Sequence, residues 1–87
     1  MQLYILRPRG GLPVDDDPWE PWYDKAFGFV ICAASEAEAR ALAQSNGGDE
    51  VYAKDGISPW TDANYSTCEV LKPSATSRIV LRDFQSA

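Results

Sequence analysis

The sequence predicts an α+β fold, a two-layer sandwich in which an antiparallel sheet of about four strands carries one helix across one face. Short runs rich in aromatic and β-branched residues recur between proline and glycine stretches, as strands do between turns. Only one segment combines helical periodicity with a helix start and stop. A length of 87 residues is too short for two cores, so residues 1–87 form a single domain. The predicted order is strand, strand, helix, strand, strand.

The first two strands are predicted on either side of a long loop. Strand 1 covers residues 2–7 and ends where Pro8 removes a backbone donor. Residues 12–25 hold three prolines and five acids, a composition typical of a structured loop. Strand 2 covers residues 26–33, and its continuous apolar run predicts a central strand covered on both faces. The tryptophan-bearing loop is the expected cover of the sheet face that the helix leaves open.

The helix is predicted over residues 35–46. Ser35 and Glu38 have the capping-box spacing, in which the serine hydroxyl accepts from the amide three residues later. Glu36 and Arg40 have the spacing of an ion pair, which we expect on the outer face. The predicted inner stripe consists of small or apolar residues, Ala39, Leu42 and Ala43.

The chain after the helix is less regular. Residues 49–64 predict no definite element beyond a short strand or turn. Strand 3 is predicted over residues 67–72, and the final strand over residues 78–84, after a loop at 73–77.

The composition excludes several classes of function. The chain has no histidine, which removes Ser-His-Asp and Cys-His catalysis. Cys32 and Cys68 have no zinc-ligand spacing. We expect them to be small buried thiols, with a disulfide between them as the alternative. The eight lysines and arginines are scattered, so no direct nucleic-acid binding is expected. We therefore predict that the chain is not an enzyme and has no catalytic residue, cofactor or metal site.

No leader or membrane segment is predicted. No apolar stretch approaches the roughly 20 residues of a membrane span, and the first residues lack a basic start followed by an apolar run. The expected location is the cytoplasm, which would be that of the host cell if a phage encodes the chain.

The acidic residues define the candidate site. The formal net charge is −5, from 13 acids and 8 bases. Residues 15–24, here called the acidic loop, hold five acids and no base, and the rest of the chain is balanced. Pro18 and Pro21 favour a polyproline-II turn that presents Trp19 and Trp22 on the same side. The predicted partner-binding residues are the acids and tryptophans of this loop: Asp15, Asp16, Asp17, Trp19, Glu20, Trp22 and Asp24.

Other interpretations of the loop stay open. The tryptophans would pack into the fold together with Trp60 if the small domain needs large apolar side chains. The acids would then only keep the protein soluble. A second acidic group joins the loop if the connection after the helix lies beside it; its members are Asp49, Glu50, Asp55 and Asp62.

The chain as a whole resembles small proteins encoded in bacterial and phage genomes, a resemblance that implies no activity. The residues that carry it are Tyr23, Asp24, residues 28–30, residues 35–40, residues 48–50, Trp60, Cys68 and residues 82–84. In size, acidity and lack of catalytic residues the chain is also similar to phage-encoded inhibitors of host defence, the anti-CRISPR proteins among them. That likeness of class implies a protein that occludes a basic nucleic-acid channel, and it assigns no role to any residue.

The sequence therefore predicts a non-enzymatic acidic protein-binding module. Its expected partner is a protein with a basic surface, such as a host nucleic-acid-processing, CRISPR-like complex that a phage-type inhibitor blocks. The alternative is a structural or regulatory bacterial subunit that self-associates through an open sheet face or edge. We expect a monomer or a weak homodimer.

Overall fold

The computed structural model of the chain describes residues 1–20, 24–52 and 56–82. These ranges contain three strands and one α-helix: β1 (Gln2–Pro8), β2 (Phe29–Ala33), α1 (Glu36–Ser45) and β3 (Ser66–Val70). Short 3₁₀ turns occur at Val14–Asp16 and Asp49–Tyr52. The α+β class, the antiparallel sheet and the single helix of the prediction are confirmed.

The sheet has the order β2-β1-β3, with β1 in the centre. β2 runs antiparallel to β1 with Ile31 opposite Tyr4, and β3 runs antiparallel to it with Cys68 opposite Leu6. Tyr4 and Leu6 are buried on the face that α1 covers. The first strand therefore supplies the middle of the core.

The prediction that strand 2 is central is wrong, because among the described residues β2 pairs only with β1 and lies at the edge of the sheet. Phe29, Ile31 and Ala33 face the core, whereas the alternate side chains of Val30 and Cys32 are exposed. A continuous apolar run is typical of a strand buried on both faces, but here only every second side chain is covered. The expectation of a buried thiol is likewise wrong for Cys32.

The helix begins as predicted. The Ser35 hydroxyl accepts a hydrogen bond from the Glu38 amide at 3.2 Å. Ala39 and Ala43 are fully buried, so the helix approaches the sheet closely. The prediction that Leu42 belongs to the inner stripe is wrong, since its side chain is 42% exposed.

Arg40 takes the inner position instead. Its guanidinium donates to the carbonyl oxygen of Trp60 at 3.1 Å and to the hydroxyl and carbonyl oxygens of Ser66 at 2.9 and 3.3 Å. The Arg40 Nε–Glu36 Oε2 contact of 2.8 Å confirms the ion pair, but Arg40 is buried and not on the outer face. The carbonyl oxygen of Trp60 and the two oxygens of Ser66, the first residue of β3, satisfy the buried guanidinium.

The core lies between the sheet and α1. Its large side chains come from the strands and from two tryptophans in loops, while the helix contributes alanines. The buried cluster comprises Tyr4, Leu6, Trp19, Ala33, Ala39, Ala43 and Trp60.

The predicted fourth strand is not formed over residues 78–82, and residues 83 and 84 lie outside the described ranges. Arg7 donates a side-chain hydrogen bond to the carbonyl oxygen of Val80, which brings this segment to the face of β1 opposite α1. Ile5, whose side chain points to that face, is 3% exposed. The expected cover, the tryptophan-bearing loop, instead packs Trp19 on the α1 side.

Within the described ranges, no helix has the length and apolar character that crossing a membrane requires.

Candidate protein-binding surface

The first part of the acidic loop is a short turn held by its own backbone. Pro13 precedes a 3₁₀ turn in which the Asp16 amide donates to the Pro13 carbonyl oxygen at 2.9 Å. The Asp17 carboxylate then accepts from the Trp19 amide at 2.9 Å, the local bond that aspartate makes in turns. Asp15 and Asp16 are exposed and Asp17 is half-buried. The backbone that carries these three carboxylates is thus held in one bend of the chain.

Trp19 anchors the loop to the core. Its side chain is 4% exposed, and its ring centroid lies 4.9 Å from that of Trp60 in an edge-to-face arrangement. Its indole Nε1 donates to the Tyr65 carbonyl oxygen at 3.0 Å. The prediction that Trp19 contacts a partner is corrected here, because a buried indole has no free face. Trp22, the other predicted tryptophan, lies outside the described residues.

The Tyr65 side chain holds the Asp16 part of the acidic loop. Its hydroxyl donates to the Asp16 carboxylate at 2.7 Å. This hydrogen bond, with desolvation and the negative charges of Asp16 and Asp62, raises the pKa of Tyr65 above its ordinary value of 10.0. Asp62 is one member of the second acidic group of the sequence, and its charge acts on the same hydroxyl as that of Asp16.

We expect an Asp16→Asn substitution to lower the pKa of Tyr65 toward 10.0, because Asp16 is the main cause of its rise. A raised pKa stabilises the folded state while the phenol is protonated, below pH 10.0, and this contribution disappears as the pH rises through the folded-state pKa. Nuclear magnetic resonance of the Tyr65 ring against pH measures the shift. Asp17→Asn is the matched control and should leave the pKa of Tyr65 unchanged. If the pKa of Tyr65 in the Asp16 variant equalled that in the unmodified chain, Asp16 would not be the main cause of the rise.

The end of the acidic loop is partly neutralised by Lys25. Its ammonium group donates to the Trp19 carbonyl oxygen at 2.8 Å and lies 3.9 Å from the Glu20 carboxylate. The Glu20 side chain is mostly exposed, so this ion pair contributes little to stability. The Glu20 side chain stays exposed, and its contact with a partner stays a prediction.

The segment after the helix lies against Asp24. The Asp49 amide donates to the Asp24 carbonyl oxygen at 2.6 Å, and both residues are exposed. Glu50 is 1% exposed, and its carboxylate accepts from the amides of Ala26 and Gly48 at 2.8 and 2.7 Å. Glu50 therefore joins two loops and does not belong to the acidic surface.

Two members of the second acidic group thus lie near the acidic loop. Asp62 approaches the turn through Tyr65, and Asp49 sits beside Asp24. Asp55 lies outside the described residues. Sequence reasoning missed Tyr65 and the role of Glu50, because both act across long separations that no local motif marks.

The chemistry of this surface is that of exposed hydrogen-bond acceptors with negative charge. In residues 1–20, 24–52 and 56–82, no three or more histidine, cysteine, aspartate or glutamate side chains are grouped so as to hold a metal ion. Cys32 and Cys68 are free thiols, and burial raises the pKa of the Cys68 thiol. A raised pKa lowers the fraction of nucleophilic thiolate at neutral pH.

No family model, curated protein or solved structure compared with this chain matches it.

Proposed function

We propose that this chain is a non-enzymatic protein-binding module that places its acidic loop on a basic surface of a partner. The proposed partner is a host nucleic-acid-processing, CRISPR-like complex, whose basic channel the module blocks in the manner of a phage-type inhibitor. The observation that supports this most is that exposed carboxylates stand on a loop fixed to the core by Trp19 and Tyr65.

Fixing residues 16–19 of the loop favours binding because the conformational entropy of this part is already lost before the partner arrives. Asp16 is held by Tyr65, Asp17 by the Trp19 amide, and Trp19 by the core. The contacts that we assign to the partner are therefore made by Asp15, Asp16 and Glu20, with Asp17 and Trp19 positioning them.

The charge distribution gives the surface its specificity. The loop carries the whole formal net charge of the chain, and Asp62 and Asp49 extend it. Clustered carboxylates attract a basic partner over a distance and accelerate the encounter, and they compete with the nucleic acid that the same basic surface binds.

We expect an Asp15→Asn/Asp16→Asn variant to capture its partner at least about tenfold less well, because like-for-like amides keep the shape of the turn and remove its charge. The immobilised chain is exposed to bacterial lysate treated with nuclease, and captured proteins are quantified by mass spectrometry. The expected captured proteins are basic, and added nucleic acid releases them.

The matched control is Glu38→Gln/Glu69→Gln, which removes two exposed carboxylates outside the acidic loop. This control should capture the same proteins as the unmodified chain. Equal capture by the loop variant and the control, or capture that added nucleic acid does not reduce, would refute the proposed function.

A further inference from the structure

β2 has one edge with which no described residue pairs. The other edge of β2 pairs with β1. Two hydrogen bonds between β1 and the β3 side show which residues of β1 bond to which neighbouring strand. The Leu71 amide donates to the Leu3 carbonyl oxygen at 2.8 Å, and the Arg9 amide donates to the Tyr65 carbonyl oxygen at 2.9 Å. Odd-numbered residues of β1 therefore bond toward β3, and even-numbered residues bond toward β2.

This alternation shows which backbone groups of β2 are free to bond outward. The even-numbered residues of β1 lie opposite Phe29, Ile31 and Ala33, whose amides and carbonyls consequently point to β1. The amides and carbonyls of Val30 and Cys32 point the other way. The open edge thus presents two donors and two acceptors within three residues.

The side chains around this edge are apolar and uncharged. Proteins usually protect a sheet edge with charged residues, lysine above all, or with proline. Residues 26–35 contain neither. On the face opposite α1, Leu3, Val30 and Cys32 are exposed next to one another, since Leu3 lies opposite Cys32.

We propose that β2 is a self-association edge, at which two copies of the chain pair antiparallel with Val30 of one copy opposite Cys32 of the other. In this register all four outward groups of each copy bond to the second copy, and Ile31 lies on the two-fold axis. The two sheets become one continuous six-stranded sheet.

Two features favour a second copy as the occupant. After a two-fold rotation, the outward amides and carbonyls of Val30 meet the carbonyls and amides of Cys32 in the second copy. The strand is also neutral in a chain of net charge −5, so two copies meet here without opposing carboxylates.

The test is sedimentation equilibrium of the full chain over a range of concentrations. We expect a concentration-dependent dimer, and we expect Val30→Lys to raise its dissociation constant at least about tenfold, because a charge would be placed against the apolar strip at the edge. Val70→Lys is the matched control: Val70 is 39% exposed against 47% for Val30, but it lies on β3. Circular dichroism verifies that both variants fold.

The register is tested by oxidative cross-linking. With Val30→Cys, each introduced thiol faces Cys32 of the second copy at a Cα separation of about 5.5 Å, within disulfide range. The unmodified chain should not cross-link through Cys32, because the two Cys32 residues are displaced by two positions along the strands. A monomer at all concentrations, an equal effect of Val70→Lys, or a Cys32–Cys32 link in the unmodified chain would overturn the proposal.

Discussion

Replacing Gly48 by alanine should destabilise the chain by about 3 kcal/mol or more, the upper part of the range for overpacking a filled site. A Cβ atom at this position would collide with the Asp24 carbonyl oxygen and lie 2.8 Å from the Lys25 Cα. Both are backbone atoms, so no side-chain rotation relieves the contact. The crossing of the two loops would have to open, and with it the Glu50 hydrogen bonds to Ala26 and Gly48. The midpoint of urea denaturation measures the loss.

Gly10→Ala is the matched control for this substitution. A Cβ atom at Gly10 meets nothing within 4 Å, so the expected change in the free energy of unfolding is below about 1 kcal/mol. Denaturation midpoints that fall equally in the two variants would show that the close approach of Gly48 to Asp24 is not a constraint on the fold.

Arg40→Met is the second substitution with a large expected effect, a loss of about 3 kcal/mol. Methionine fills much of the same volume but cannot donate to the carbonyl oxygens of Trp60 and Ser66. The Ser66 carbonyl oxygen loses this donor, at a cost of about 1–3 kcal/mol, and the lost packing of the arginine stem adds to it. The Trp60 carbonyl oxygen keeps the Ser66 hydroxyl as a donor at 3.3 Å. Thermal and urea denaturation followed by circular dichroism measure the change.

Arg78→Met removes an exposed guanidinium and serves as the control, with an expected change within about 0.5 kcal/mol. If Arg40→Met were equally mild, the buried hydrogen bonds of Arg40 would not hold the helix to Trp60 and to the start of β3, contrary to the packing described above.

Local signals predicted the elements that depend on neighbouring residues. The Ser35 cap, the extent of α1 and the position of β1 depend on residues close together in the sequence. Each is found where the sequence indicates. The order of the strands depends on pairing between distant segments, which alternation of side chains does not encode. For this reason β2 is an edge although its composition is typical of a central strand.

Arg40 shows the same limit for a single side chain. A charged residue in a helix is expected on the outer face unless buried partners exist, and here the partners are 20 and 26 positions away along the chain. Its inward position also accounts for the exposure of Leu42, since the helix is rotated from the orientation that the apolar pattern predicts.

In the candidate site, too, local features follow from the sequence, and long-range contacts do not. The exposure of Asp15, Asp16 and Glu20 follows from their composition and agrees with the prediction of a solvated loop. The hydrogen bond that holds Asp16 spans 49 positions to Tyr65, and no sequence motif marks it. For Trp19 and Trp60, burial agrees with the alternative in which tryptophans complete a small core.

The most direct test of the central claim, that the acidic loop binds a basic partner through its charge, is the salt dependence of the affinity. The partner captured from lysate is purified, and its dissociation constant is measured calorimetrically at about 50 mM and about 200 mM salt, a range over which exposed charges become strongly screened. We predict that the dissociation constant rises at least about tenfold over this range for the unmodified chain, and much less for Asp15→Asn/Asp16→Asn. A dissociation constant that does not change with salt, or that changes equally in the variant, would contradict the account.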